Sequence, residues 1–122
     1  MAHKRPNIVF LLADDQSYWS TRFNGNPVAN TPNLERLAAD GVVFDRYYDC
    51  SPICMASRAT LATGLYEYRT GCNFEHGQMR AQMFASSYHV RLRNAGYYTG
   101  YAGKFGFGME RNDEIPRVDY CG

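Results

Sequence analysis

Apolar positions change their period several times along this chain, and each change marks an element. Ile8-Val9-Phe10-Leu11-Leu12-Ala13 is an unbroken apolar run rich in branched side chains. Such a run predicts a strand buried on both faces. It stops abruptly at Asp14-Asp15-Gln16. The mixed polar and aromatic residues 17–30, with Gly25 and Pro27, predict a loop. Thr31-Pro32 then opens a helix, with Thr31 as N-cap and Pro32 at the first helical position. Leu34, Leu37 and Ala38 form its apolar stripe, and Gly41 sits where a left-handed terminal residue belongs. Val42-Val43-Phe44 resumes a strand pattern that continues through Tyr48. A second helix is predicted from about Cys54 to near Gly64. Residues 65–80 are Gly-rich and polar with no clean period. Phe84, Tyr88, Leu92 and Ala95 recur at helical spacing before Gly96, predicting one helix across that span. Tyr97–Lys104 is a third strand candidate, weakened by Gly100. Residues 109–122 carry Pro116 and scattered charges and show no strong pattern.

Strands alternating with helices predict an α/β fold with a mainly parallel sheet flanked by helices. Sheets of that kind place ligand chemistry beyond the C-terminal ends of their strands. Asp14 and Asp15 end the first predicted strand, and Lys104 ends the third. The helix beginning at Cys54 opens toward that same edge. The topology therefore predicts that these reactive and charged groups converge.

The 122 residues fit one domain of ordinary size, and a hydrophobic content of 45% suffices for a packed core. A formal net charge of +1 gives no signal for nucleic acid or a charged membrane. No segment approaches the roughly 20 apolar residues that span a bilayer. The Ile8–Ala13 run is too short for a signal-peptide core, so no export signal is expected in the chain as written, which would be cytoplasmic as it stands; its compartment is left open. Cys50, Cys54, Cys72 and Cys121 match no zinc spacing. The even count also permits disulfides in an oxidising compartment.

Ser51-Pro52-Ile53-Cys54-Met55-Ala56-Ser57-Arg58 carries the strongest chemical signal. Helical spacing puts Cys54 and Arg58 on one face. A helix N-terminus adds partial positive charge and free backbone N–H groups beside Cys54. A nucleophile next to a fixed cation suits attack on an anionic ester. A lone cysteine in such a place is ordinarily a small buried hydrophobe. Asp14 and Asp15, adjacent after an apolar run, repel one another. A hard divalent cation such as Ca²⁺ or Mg²⁺ relieves that repulsion, and a solvated turn is the plainer reading. Lys104 alone reads as a solvated strand-end lysine. Gly103-Lys104 is no phosphate-binding loop, because Tyr98 replaces the upstream glycine and Phe105 the Ser or Thr.

Four segments in order resemble the type I, formylglycine-dependent sulfatases of the alkaline phosphatase superfamily. They are Arg5–Gln16, Thr31–Ala38, Cys54–Gly64 and Gly96–Lys104. The second is similar to the family's T-P-N-L-D-R-L-A helix, whose role is architectural. The resemblance implies an alkaline phosphatase-like fold and hydrolysis of a sulfate monoester, such as an aryl sulfate or a sulfated glycan. It implies that Cys54 is oxidised to Cα-formylglycine by a formylglycine-generating or anaerobic maturase. It implies Asp14, Asp15 and the modified Cys54 as ligands to Ca²⁺, with Mg²⁺ as the alternative ion. Arg58 and Lys104 would act on the nucleophile and the sulfate.

Two positions depart from the family pattern. Gly106 stands where many members carry a histidine, and Ala56 where the commonest signature has proline. None of His3, His76 or His89 aligns with the former. A phosphonate or phosphate ester hydrolase of the same superfamily is the alternative reading, and a non-catalytic truncated α/β piece is another. Because the family's second metal-ligand pair has no match here, the chain is expected to be the N-terminal portion of a sulfatase catalytic domain, with 109–122 as a weakly patterned tail. By itself it is expected to hydrolyse sulfate esters at no useful rate.

Overall fold

The computed structural model describes residues 5–75, 77–110 and 120–121. His3, His76 and most of the tail expected at 109–122 lie outside the described residues. The chain divides into two compact units, Met1–Arg46 and Tyr47–Gly122.

The first two expected strands, at 8–13 and 42–48, do not form. Both segments are exposed rather than buried on two faces; Val9 and Leu11 are each 80% exposed. A strand exists only through hydrogen bonds to a neighbour, which the side-chain pattern of one segment does not supply. The helical signals of the first unit are local, and they hold. Helix α1 spans Pro32–Asp40, with Pro32 in its first turn. Thr31 precedes it, but its side chain makes no capping bond to the helix backbone. Its Oγ1 instead accepts from Arg22 N at 3.2 Å and donates to Glu35 Oε1 at 3.3 Å. Gly41 follows with an extended backbone, φ −116°, and not the left-handed conformation expected of it. A short 3-10 turn, Tyr18–Ser20, interrupts the preceding loop.

The second unit holds the core. Helix α2, Cys54–Thr63, ends as expected on a left-handed Gly64, φ 70°, whose N–H bonds Thr60 O at 2.8 Å. Its residues Met55, Ala59 and Ala62 recur at helical spacing and face Cys72, Met79, Phe84 and Phe107 in one apolar cluster. Three short helices follow: α3, Glu67–Thr70; α4, Ala81–Phe84; and α5, Tyr88–Asn94.

The single helix expected across 84–95 is therefore broken. Ser87 adopts an extended backbone and caps α5, accepting a hydrogen bond from Val90 N at 3.4 Å. Ser86 Oγ donates to Met83 O at 2.7 Å. Serine hydroxyls compete for backbone groups in this way and favour helix ends over interiors. The break lets Phe84 and His89 reach the same core, with ring centroids 5.7 Å apart.

Strand β1 is only Gly100–Tyr101, paired in parallel with β2, Tyr120–Cys121. The third expected strand, 97–104, is thus reduced to two residues, consistent with the weakening by Gly100. Isolated bridges join Met79 to Met109 in parallel and Asn73 to Gly77 antiparallel.

Candidate active site

Cys54 is the first residue of α2. Ile53 before it is extended and has no polar side chain with which to cap the helix. The first-turn N–H groups around Cys54 are thus left for another polar or anionic partner. The Cys54 side chain is half-buried and its thiol is free. Cys50 is also a free thiol and is exposed. Cys72 is free and wholly buried; burial, with the Glu67 carboxylate adding to it, pushes its thiol up to about 11. At neutral pH Cys72 is therefore protonated and unreactive.

Arg58 lies one turn after Cys54 on α2 and is only 9% exposed. Its Nη1 donates to the backbone oxygen of Lys104 at 2.6 Å. The Tyr101 hydroxyl donates to that same oxygen. Lys104 is exposed and lies in the loop after β1, between two left-handed glycines, Gly103 (φ 102°) and Gly106 (φ 87°). The second unit thus brings the Cys54 helix and the Lys104 loop together through Arg58. Phe105 and Phe107 anchor this loop in the core, their ring centroids 4.5 Å apart and both rings packed on Phe84.

The approach to Cys54 is fixed by a residue that the sequence pattern did not single out. The Glu67 carboxylate accepts from the Ser51 hydroxyl with one oxygen and from Asn73 Nδ2 with the other. Ser51 and Asn73 are both buried. The carboxylate therefore ties the loop before Cys54 to the loop after α3. The only sequence signal was an acidic residue in the first turn of a short helix, which an ordinary solvated helix also carries.

Asp14 and Asp15 belong to the first unit, and both are exposed. Asp15 has φ 55°, a left-handed conformation that Asp tolerates better than most residues. Among the described residues, no three or more His, Cys, Asp or Glu side chains gather to hold a metal ion. Two carboxylates furnish only part of the roughly six to eight oxygens that Ca²⁺ takes. The described residues do not by themselves fit a complete cation site.

The model of the Sulfatase family matches residues 6–120. The chain belongs to the sulfatase family. It is 34% identical over 118 residues to arylsulfatase J of Mus musculus, a match covering 92% of this chain and 19% of that protein. It is 46% identical over 70 residues to N-acetylgalactosamine-6-sulfatase of the same species, covering 57% of this chain and 14% of that protein. Identity to an ulvan-active sulfatase of Formosa agariphila is 36% over 101 residues, covering 83% of this chain and 20% of that protein. The chain thus spans a fifth or less of the length of these three relatives. Membership of the family places the chain in the alkaline phosphatase-like α/β class.

Proposed function

We propose that this chain carries the nucleophile of a formylglycine-dependent sulfatase that hydrolyses sulfate monoesters. The observation that carries the reading is Cys54 at the open N-terminus of α2, one turn from a buried Arg58 that reaches the Lys104 loop. The relatives are named as sulfatases, which supports a sulfate ester over a phosphate ester as substrate. Names such as N-acetylgalactosamine-6-sulfatase and ulvan-active sulfatase favour a sulfated glycan, with an aryl sulfate as a laboratory substitute.

Cys54 is the residue a maturase would convert. The aldehyde, once hydrated, supplies two hydroxyls on one carbon, where the thiol has none. The chain's own groups contribute charge and order. The helix N-terminus and the Arg58 guanidinium favour negative charge beside residue 54. Lys104 offers a second cation for the sulfuryl oxygens, on a loop that Arg58 and Tyr101 hold by its backbone. Asp14 and Asp15 would supply two of the ligands of a divalent cation. The parallel sheet of the fold class is part of the same proposal. The parallel pairing of Gly100–Tyr101 with Tyr120–Cys121 supports it.

The test is release of nitrophenol from 4-nitrophenyl sulfate and 4-nitrophenyl phosphate by the chain co-expressed with a maturase. Expected is release from the sulfate far below a useful rate yet above that of a Cys54→Ala variant, and none above background from the phosphate. Preference for the phosphate, or turnover that survives Cys54→Ala, contradicts the reading.

A further inference from the structure

We infer that Gly106 and Arg58 are a coupled pair, in which the absent side chain at 106 gives Arg58 its passage to the Lys104 carbonyl. Arg58 then ties the Lys104 loop to α2. Position 106 is closed to every side chain while Arg58 holds that place.

Three observations meet at this point. First, Gly106 has φ 87°, where L side chains are strained. Second, a Cβ added at 106 would fall on Arg58 Cδ, far inside van der Waals contact, with Nε at 3.1 Å. Third, Arg58 is itself buried, and its Nη1 is spent on Lys104 O at 2.6 Å. A flexible side chain can swing away from a new methyl group at little cost. This one cannot do so without giving up a charge-assisted hydrogen bond inside the core. The clash is therefore resolved at the expense of the contact between α2 and the 104–106 loop.

Gly103 separates strain from clash. It has φ 102° in the same loop, yet a Cβ there meets nothing within 4 Å. Gly103→Ala carries the left-handed strain alone; Gly106→Ala carries the strain and the collision. The loop's own attachment also provides a reporter. Met79 N–H donates to Gly108 O at 2.9 Å, and Glu110 N–H donates to Met79 O at 3.1 Å. Displacing the loop opens these bonds. The significance of the pair for catalysis rests on the proposed role of Lys104, whereas the coupling itself does not.

The experiment is amide hydrogen exchange on the full 122-residue chain, read over 104–110 and at Met79. Gly106→Ala should speed exchange there at least about tenfold more than Gly103→Ala does, the scale of forcing a methyl group into a packed site. Arg58→Ala alone should also speed it, since the tether to Lys104 O is lost. In the Arg58→Ala background, Gly106→Ala should add no more than Gly103→Ala adds. That compensation is the signature of the pair, because a glycine needed only for its φ gains nothing from deletion of Arg58. Equal effects of the two alanine substitutions in the parent chain would overturn the inference. So would an undiminished cost of Gly106→Ala when Arg58 is gone, or unchanged exchange over 104–110 in Arg58→Ala. If Gly106→Ala alone does not fold, the double variant and Arg58→Ala still decide between these outcomes. None of the readouts needs the aldehyde or a substrate, so they stand whether or not Cys54 matures.

Discussion

Glu67 shows how one carboxylate can order the approach to Cys54 without touching it. It holds Ser51, three residues before Cys54, and Asn73 beyond α3. Glu67→Gln keeps one acceptor and removes the charge. Hydrogen bonds to a charged group are worth more than neutral ones, so a loss of about 1–3 kcal/mol in unfolding free energy is expected. The same variant has an independent reporter. The Cys72 thiol sits at about 11 because of burial first and the Glu67 charge second. Glu67→Gln should lower that value part of the way toward an ordinary thiol, as followed by alkylation rate against pH. An unchanged Cys72 titration would show that the carboxylate is not where the structure puts it. Cys54 and Arg58 were legible in the sequence because both lie within one helical turn. Glu67 was not, since its partners lie 16 and six residues away and only the fold brings them together.

At the scale of elements, the legible features were those whose signals are local. Thr31-Pro32 marked the start of α1, and Gly64 the end of α2. Strand formation at 8–13 and 42–48 could not be judged from one segment's pattern, because pairing is a property of two segments. Ser86-Ser87 overrode the helical spacing of Phe84 and Tyr88 by capping α5. That break buries His89 at 5% exposure, with Tyr88, Phe84, Tyr101 and Phe105 rings around it. Neither ring nitrogen has a hydrogen-bond partner among the described residues. Burial lowers the pKa of His89 below its ordinary 6.5. The unfolded chain therefore takes up the proton first as pH falls. The contribution of neutral His89 is complete above about pH 6.5 and is lost as pH drops from there through the folded pKa. His89→Phe should flatten this limb of a stability–pH profile in urea unfolding. A parent and variant with parallel profiles between about pH 7 and 5 would show that His89 does not titrate from a buried site.

Over the whole molecule, the division of labour follows the two units. The apolar interior described for Tyr47–Gly122 surrounds α2 and supports Arg58 and the Lys104 loop. In Met1–Arg46 the long apolar side chains of Ile8–Leu12 are exposed, and the candidate cation ligands Asp14 and Asp15 follow them. The sequence motifs named the family from four short strings, and the family match across 6–120 agrees with them. They could not show how Arg58 reaches its loop, because that contact joins residues 46 positions apart. Everything proposed about catalysis depends on Cys54 being the residue that a maturase recognises. Peptide mass spectrometry of the 122-residue chain, co-expressed with a formylglycine-generating enzyme or an anaerobic maturase, addresses this directly. The expected result is an aldehyde at Cys54, trapped by an aminooxy probe, with Cys50 and Cys72 remaining thiols in the same sample. A thiol at Cys54 under both maturases, while a control substrate converts, would contradict it.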